Sequence, residues 1–253
     1  MTNKFLDLLE GDGVVVFDGG MGTEIYKRGI YINRCFDELN LSSPNLILEI
    51  HKDYINSGAD VIQTNTFGSN LYKLKPHGFS DKVKTINCHG AKLAKQAAGT
   101  AALVAGSMGP LGVKLEPWGN VSLEDAKVAF KEQAAGLFEG GVDLFIIETF
   151  SDLGEIHQAI QAVREICNLP IIAQMTIDDH GNSLFGTPPE VFTARLEEWG
   201  ADVIGINCSQ GPQVMLEVLE RMAKITHKPI SIQPNAGVPI SVEGRNIYLC
   251  SPE

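Results

Sequence analysis

Three segments of this chain repeat one short pattern: a glycine, one residue, an aspartate, and then a run of apolar residues. They are Gly58-Ala59-Asp60-Val61-Ile62, Gly141-Val142-Asp143-Leu144-Phe145 and Gly200-Ala201-Asp202-Val203-Ile204. Glycine suits the left-handed cap that ends a helix, and so short a link is typical of the step from helix to strand. Two further strand starts, Leu169-Pro170-Ile171-Ile172 and Lys228-Pro229-Ile230-Ser231, place proline at the first strand residue, where a missing N–H is tolerated. Between the runs lie amphipathic stretches. From Ser122 to Glu139, Leu123, Ala126, Phe130, Ala134, Leu137 and Phe138 fall on one helical face. Thr187-Pro188-Pro189-Glu190 reads as an N-cap, a first-turn proline and a capping-box glutamate, and Ser43-Pro44 opens an earlier helix in the same way.

Strands buried on both faces read as continuous apolar runs, and such runs occur near 14–18, 60–64, 102–106, 143–148, 171–175, 202–207 and 229–233. This regular alternation of strand and helix predicts a parallel (β/α)8 barrel of the TIM type with seven strands countable; a doubly wound sheet shares the pattern and competes with it. No linker, low-complexity tract or charge block divides the 253 residues, so 1–253 is read as one domain.

In such a barrel the chemistry sits where the strands end. The residues there are Asp18-Gly19-Gly20, Thr64-Asn65-Thr66, Gly106-Ser107-Met108-Gly109-Pro110, Glu148-Thr149, Met175-Thr176, Asn207-Cys208 and Gln233-Pro234-Asn235. Asp18-Gly19-Gly20-Met21-Gly22 is either an ordinary glycine-rich turn or an anion nest; a dinucleotide fingerprint fails because Ile25 stands where the third glycine belongs. Amides of Gly19 and Gly20 facing a carboxylate, with Asp18 and Glu148 facing an ammonium group, would together make an α-amino-acid head-group site. Asn65 and Thr149 adjoin it as further substrate-binding candidates.

The 20 basic and 31 acidic side chains give a formal charge of −11, which argues against nucleic acid and anionic membranes as partners. The apolar runs are strand-sized, so a soluble, cytoplasmic protein is expected. Five cysteines without CxxC spacing predict reduced thiols. Cys35, Cys88 and Cys167 read as structural, as do Trp118 and Trp199, and the six histidines lack HxxxH or HExxH spacing. Cys208 alone would be a small buried apolar residue; its place at a strand end makes it a candidate ligand.

Five segments in order resemble the homocysteine S-methyltransferases: Phe17-Asp18-Gly19-Gly20-Met21-Gly22-Thr23-Glu24, Asp60 to Gly68, Ile147 to Asp152, Gly205 to Pro212, and Pro234-Asn235-Ala236-Gly237. The resemblance spans nearly the whole chain. It is strongest to the amino-terminal module of cobalamin-dependent methionine synthases, with the module fused to methylenetetrahydrofolate reductase also similar. It implies transfer of a methyl group to the zinc-activated thiolate of L-homocysteine, with Asp18 and Glu148 on the ammonium and Gly19 and Gly20 on the carboxylate. It implies Cys208 as a zinc ligand, with Asn207 and Asn235 shaping the metal's surroundings. Members of that family hold zinc through a further adjacent cysteine pair in a Gly-Gly-Cys-Cys motif. This sequence contains no such pair, and Cys250 does not align with it. A barrel lacking its eighth strand and final helix is therefore expected, and with it a non-catalytic homocysteine-binding fragment as an alternative. A phosphate-substrate barrel is a further alternative, poorly matched by Pro234-Asn235-Ala236-Gly237. The resemblance further implies methylcobalamin from a partner module as the methyl donor, S-methylmethionine being second, and folate or cobalamin modules as neighbours in the parent protein.

Overall fold

The computed structural model describes residues 3–11, 13–31, 34–236, 240–242 and 245–247. Its first part comprises α1 (Lys4–Leu9), α2 (Met21–Lys27), α3 (Leu39–Ser42), α4 (Pro44–Asn56), β1 (Val61–Gln63) and α5 (Leu71–Leu74). There follow α6 (Val83–Ala98), β2 (Leu103–Met108), α7 (Leu123–Gly140), β3 (Leu144–Phe150), α8 (Leu153–Arg164) and β4 (Ile171–Met175). The rest is α9 (Pro189–Glu198), β5 (Val203–Asn207), α10 (Pro212–Met222), β6 (Ile230–Gln233), β7 (Ile240–Val242) and β8 (Arg245–Ile247).

Strands β1 to β6 form one parallel sheet in sequence order. That order is the barrel's and not the reversed order of a doubly wound sheet, which decides between the two architectures the sequence allowed. β7 and β8 pair with each other in an antiparallel hairpin that the sequence did not announce.

The first expected strand differs from expectation. Residues 14–18 make one parallel bridge, Phe17 to Val61, and lie along the edge of β1 through the bonds Val61 N–H to Val16 O at 3.2 Å and Asp18 N–H to Val61 O at 3.0 Å. Val14 is 88% and Val16 49% exposed, so this run is not buried on both faces as its composition suggested.

The structure explains the glycine–aspartate repeat. Gly58, Gly141 and Gly200 adopt φ of +99°, +89° and +88°, the left-handed conformation that side chains resist. Each aspartate two residues on then grips the preceding strand twice. Asp60, Asp143 and Asp202 donate their N–H to the carbonyls of Val16, Val104 and Ile171, at 2.8, 2.8 and 2.9 Å. Their carboxylates accept the N–H of the same three residues at 2.9, 2.8 and 2.8 Å. Lys95 and Arg164 neutralise two of these carboxylates. The repeat thus sets the register of neighbouring strands at their start, and its first copy places Val16 where Val104 and Ile171 stand in β2 and β4.

Alternation along the strands sends side chains to two faces. Val61, Ala105, Leu144, Ile146, Ile172 and Val203 pack around Phe5 of α1, which plugs the amino-terminal end of the sheet's concave side. Ile62, Val104, Phe145, Ile147, Ile171, Ala173, Ile204 and Ile206 pack outward with the helices. α6, α7 and α8 are rich in alanine on that face, which lets helix axes approach the sheet closely.

Two helix starts differ in detail. Ser122 caps α7 as its sequence suggests, accepting the N–H of Asp125 at 3.0 Å. α9 instead begins one residue later than Thr187 would place it, with Pro188 at the cap, and Glu190 pairs with Arg221 at 2.7 Å rather than closing a capping box. Trp118 is 76% exposed and is not the packing residue expected, whereas Trp199 stacks on His157 with ring centroids 4.1 Å apart. No helix among the described residues is long and apolar enough to cross a membrane.

His51 of α4 is fully buried, and neither ring nitrogen has a hydrogen-bond partner among the described residues. Burial pushes its pKa down from 6.5 to about 4. The folded state therefore binds fewer protons than the unfolded state between these values; this stability is full above pH 6.5 and lost as pH falls towards 4. By pH 5 the loss should be about 2 kcal/mol at 1.36 kcal/mol per pH unit. His51→Leu should remove that much of the stability difference between pH 7 and pH 5, measured by urea unfolding. An unchanged difference would show that His51 is not the acid-sensitive group.

Candidate active site

A cavity of about 1510 Å³ runs along the concave side of the sheet from Phe5 and Val203 to the carboxyl ends of the strands, where Asp18, Gly19, Gly20, Asn65, Glu148, Thr149, Asn207, Cys208 and Asn235 line it. Every site residue read from the sequence is on its wall. Their roles within it differ.

Asp18 follows the edge segment, and its Oδ2 accepts the N–H of Gln63 at 2.9 Å. Its Oδ1 is buried without a partner among the described residues. Glu148 near the end of β3 accepts the Ser107 hydroxyl at 2.6 Å on one oxygen and the Asn207 amide at 3.2 Å on the other. Burial pushes Glu148 up to about 7, against the opposing pull of Ser107 and Lys73. Burial also raises Asp18 well above the usual carboxylate range, opposed by the Gln63 N–H and reinforced by the Glu148 charge. Two carboxylates raised in this way hold a site ready for a cation, which would relieve both the desolvation and their mutual repulsion.

Asn207 at the end of β5 ties the parts together. Its Oδ1 accepts the Thr149 N–H at 2.8 Å, and its Nδ2 lies 2.9 Å from Thr149 Oγ1, 3.2 Å from Glu148 Oε2 and 3.5 Å from Cys208 Sγ. Thr149, Cys208 and Ser209 have φ of 66°, 54° and 62°. A left-handed non-glycine residue costs about 1 kcal/mol or more, so three together require restraint. Asn207 supplies it at Thr149. At Cys208 and Ser209 it comes from Cys208 N–H to Gln233 O at 3.0 Å, Ser209 Oγ to Cys208 O at 2.6 Å and Ile177 N–H to Ser209 Oγ at 3.2 Å. The Cys208 thiol lies 3.9 Å from Thr149 Oγ1, and burial followed by the Glu148 charge raises its pKa.

Gly19 is required by close approach: a Cβ there would stand 3.0 Å from the Tyr54 hydroxyl, which donates to Gly20 O at 3.3 Å. Asn65 lines the wall, but its amide donates to Phe36 O at 2.7 Å and to Asn40 at 3.2 Å, so it holds the loop after β1 in place. Asn235 is tied through its N–H to Gln210 O at 2.9 Å.

Sequence reasoning did not single out Ser107, Asp37, Lys73 or Gln233. Asp37 accepts the Gly68 N–H at 2.8 Å and the Ser69 hydroxyl at 2.9 Å. Lys73 stands 4.4 Å over the Phe67 ring, and its charge acts on Glu148 and Asp37. Cys35, read as structural, also lines the cavity, 4.0 Å from Asp37. Strand-end position marked Ser107 and Gln233 in the sequence; Asp37 and Lys73 lie on connections where no periodicity points inward.

At the barrel mouth an acidic pair, Asp18 and Glu148, and a strand-end cysteine, Cys208, share the wall of one cavity. The chain belongs to the homocysteine S-methyltransferase family, whose model matches residues 15–253. It is 33% identical to the methionine synthase of Mycobacterium leprae over 92% of this chain and 21% of that protein. Identity to the methionine synthase of Mycobacterium tuberculosis is 32%, over 93% of this chain and 21% of that protein. The chain thus spans about a fifth of the length of these relatives. Its fold matches the metallated form of the Escherichia coli homocysteine methyltransferase MmuM with a TM-score of 0.82 at 24% identity, covering 91% of this chain and 86% of that one.

Proposed function

We propose that this domain binds L-homocysteine and carries out methyl transfer to its sulfur, giving methionine. The observation that carries the reading is the Asn207 hub, which joins the ammonium-binding Glu148 to Cys208 within one cavity of a chain of this family. Asp18 Oδ1 and Glu148 would hold the substrate ammonium, and the amides at Gly19 and Gly20 its carboxylate. The thiol end then points towards Cys208 and Thr149. Among the described residues His77 lines the cavity without a triad around it, and in-line attack by a thiolate on a methyl group needs no general base.

Zinc suits the soft sulfur of Cys208, with Asn207 and Asn235 beside it, but a catalytic zinc takes three protein ligands. Among the described residues no three His, Cys, Asp or Glu side chains cluster as a metal site, and Cys250 lies outside them. Bound zinc would supply deprotonation of the substrate thiol, whose free pKa is about 8.5. The residues described here bind and orient the amino acid and keep water from its sulfur.

Methylcobalamin delivered by another module of the parent protein is the proposed donor, with S-methylmethionine second. Calorimetry should show L-homocysteine binding, and adding zinc and either donor distinguishes a catalytic domain, which forms methionine detectable by mass, from a homocysteine-binding fragment, which does not. No methionine from either donor, together with no homocysteine binding by calorimetry, would overturn the reading.

A further inference from the structure

We propose that the side-chain amide of Gln233 reads the α-carboxylate of the amino-acid ligand, making this residue a determinant of specificity; the proposal rests on the homocysteine reading above. Among the described residues, the buried polar side-chain atoms without a partner include one acceptor and one donor on residues that line the cavity: Asp18 Oδ1 and Gln233 Nε2. An unsatisfied buried polar atom costs about 1–3 kcal/mol, which a ligand can return by pairing with it. Glu148 has both oxygens engaged, so Asp18 Oδ1 is the open acceptor of the acidic pair. An acceptor and a donor left open in one cavity match a zwitterionic head group, ammonium to Asp18 and carboxylate to Gln233 beside the amides of Gly19 and Gly20.

Position supports the assignment. Gln233 is the last residue of β6, paired in register with Asn207 of β5, and its carbonyl holds the N–H of Cys208. The same residue therefore fixes the sulfur centre through its backbone and faces the ligand through its side chain. Arg34, also on the cavity wall, faces Glu38 at 3.8 Å, and Lys73 is engaged as well. Its ammonium lies over Phe67 and is balanced by Asp37, Glu155 and Glu148, so it serves those carboxylates. Gln174 Oε1 is also unpartnered, but its amide is bound to Ser231 Oγ at 2.8 Å and the residue is not on the cavity wall.

The test uses L-homocysteine and 3-aminopropane-1-thiol, which lacks only the carboxylate; since both carry the same thiol, contributions from Cys208 and any metal cancel in their ratio. Calorimetry on the wild type should show homocysteine bound more tightly. Gln233→Met, close in shape, should weaken homocysteine by about 10-fold or more, the value of a hydrogen bond to a charged group, and leave 3-aminopropane-1-thiol within about 3-fold. Gln233→Glu should weaken homocysteine further and leave the amine within the same range. Equal losses for both ligands would mean a structural role and overturn the proposal, as would no loss for homocysteine. A wild type that fails to bind homocysteine would instead overturn the functional reading on which the proposal stands.

Discussion

Glu148→Gln should lower kcat/KM for homocysteine by roughly 10²- to 10³-fold, corresponding to about 3–5 kcal/mol for breaking a buried ion pair at one partner. The substitution keeps the shape; its oxygen can still accept from Asn207 and its N–H can donate to the Ser107 oxygen, while the charge that faces the ammonium is removed. The pH dependence isolates the cause. Burial holds Glu148 at about 7 in the ligand-free protein, so a proton and the substrate ammonium compete for it. Affinity should rise as pH increases through about 7 and level off above, since the ionised form binds. Below 7, each pH unit costs roughly tenfold in affinity. L-methionine, which has the head group without a titrating thiol, is the ligand to measure. In Glu148→Gln the rise through 7 should vanish. A flat wild-type profile between pH 6 and 8, or a variant within threefold of wild type, would remove Glu148 from the ammonium site.

Cys208→Ala should reduce methyl transfer to background, a loss beyond about 10³-fold, while the affinity for L-methionine stays within about threefold. The head-group contacts belong to the side chains of Asp18, Glu148 and Gln233 and to the glycine turn, and do not pass through the sulfur. Folding should survive, because alanine in the left-handed conformation is strained to the same degree as cysteine and the clamps on Thr149 and Ser209 remain. Undiminished transfer in this variant would show that Cys208 is not the sulfur centre; lost L-methionine binding would assign it a structural role instead.

Much of this protein was legible before any coordinates. The three glycine–aspartate copies announce helix ends and strand starts because their constraint is local: a positive φ, then a run too apolar to stay in water. Strand-end residues could be named as candidates since parallel strands in a barrel all end on one face. Asp18, Glu148 and Cys208 were named this way, and one cavity gathers them.

Side-chain direction was not legible in this way. Asn65 and Asn207 sit at equivalent strand ends and look alike in sequence, yet one amide turns outward to Phe36 and Asn40 and the other inward to Glu148 and Cys208. Trp118 gave no sign of being exposed, and Asp37 no sign of holding the Gly68–Ser69 turn, since each lies on a connection with no period.

By itself, then, the sequence determined the alternation of strands and helices, the residues at the strand ends and the family. Those depend on backbone preference and on burial repeated at short range. Only the tertiary structure decided between barrel and doubly wound order, reduced the first strand to an edge bridge, and made Asn207 the hub and Gln233 an open donor. Those outcomes depend on which residues from segments 25 to 59 positions apart meet in space, as Gln233 with Cys208 and Asn207 with Glu148 do, and no local pattern encodes such a meeting.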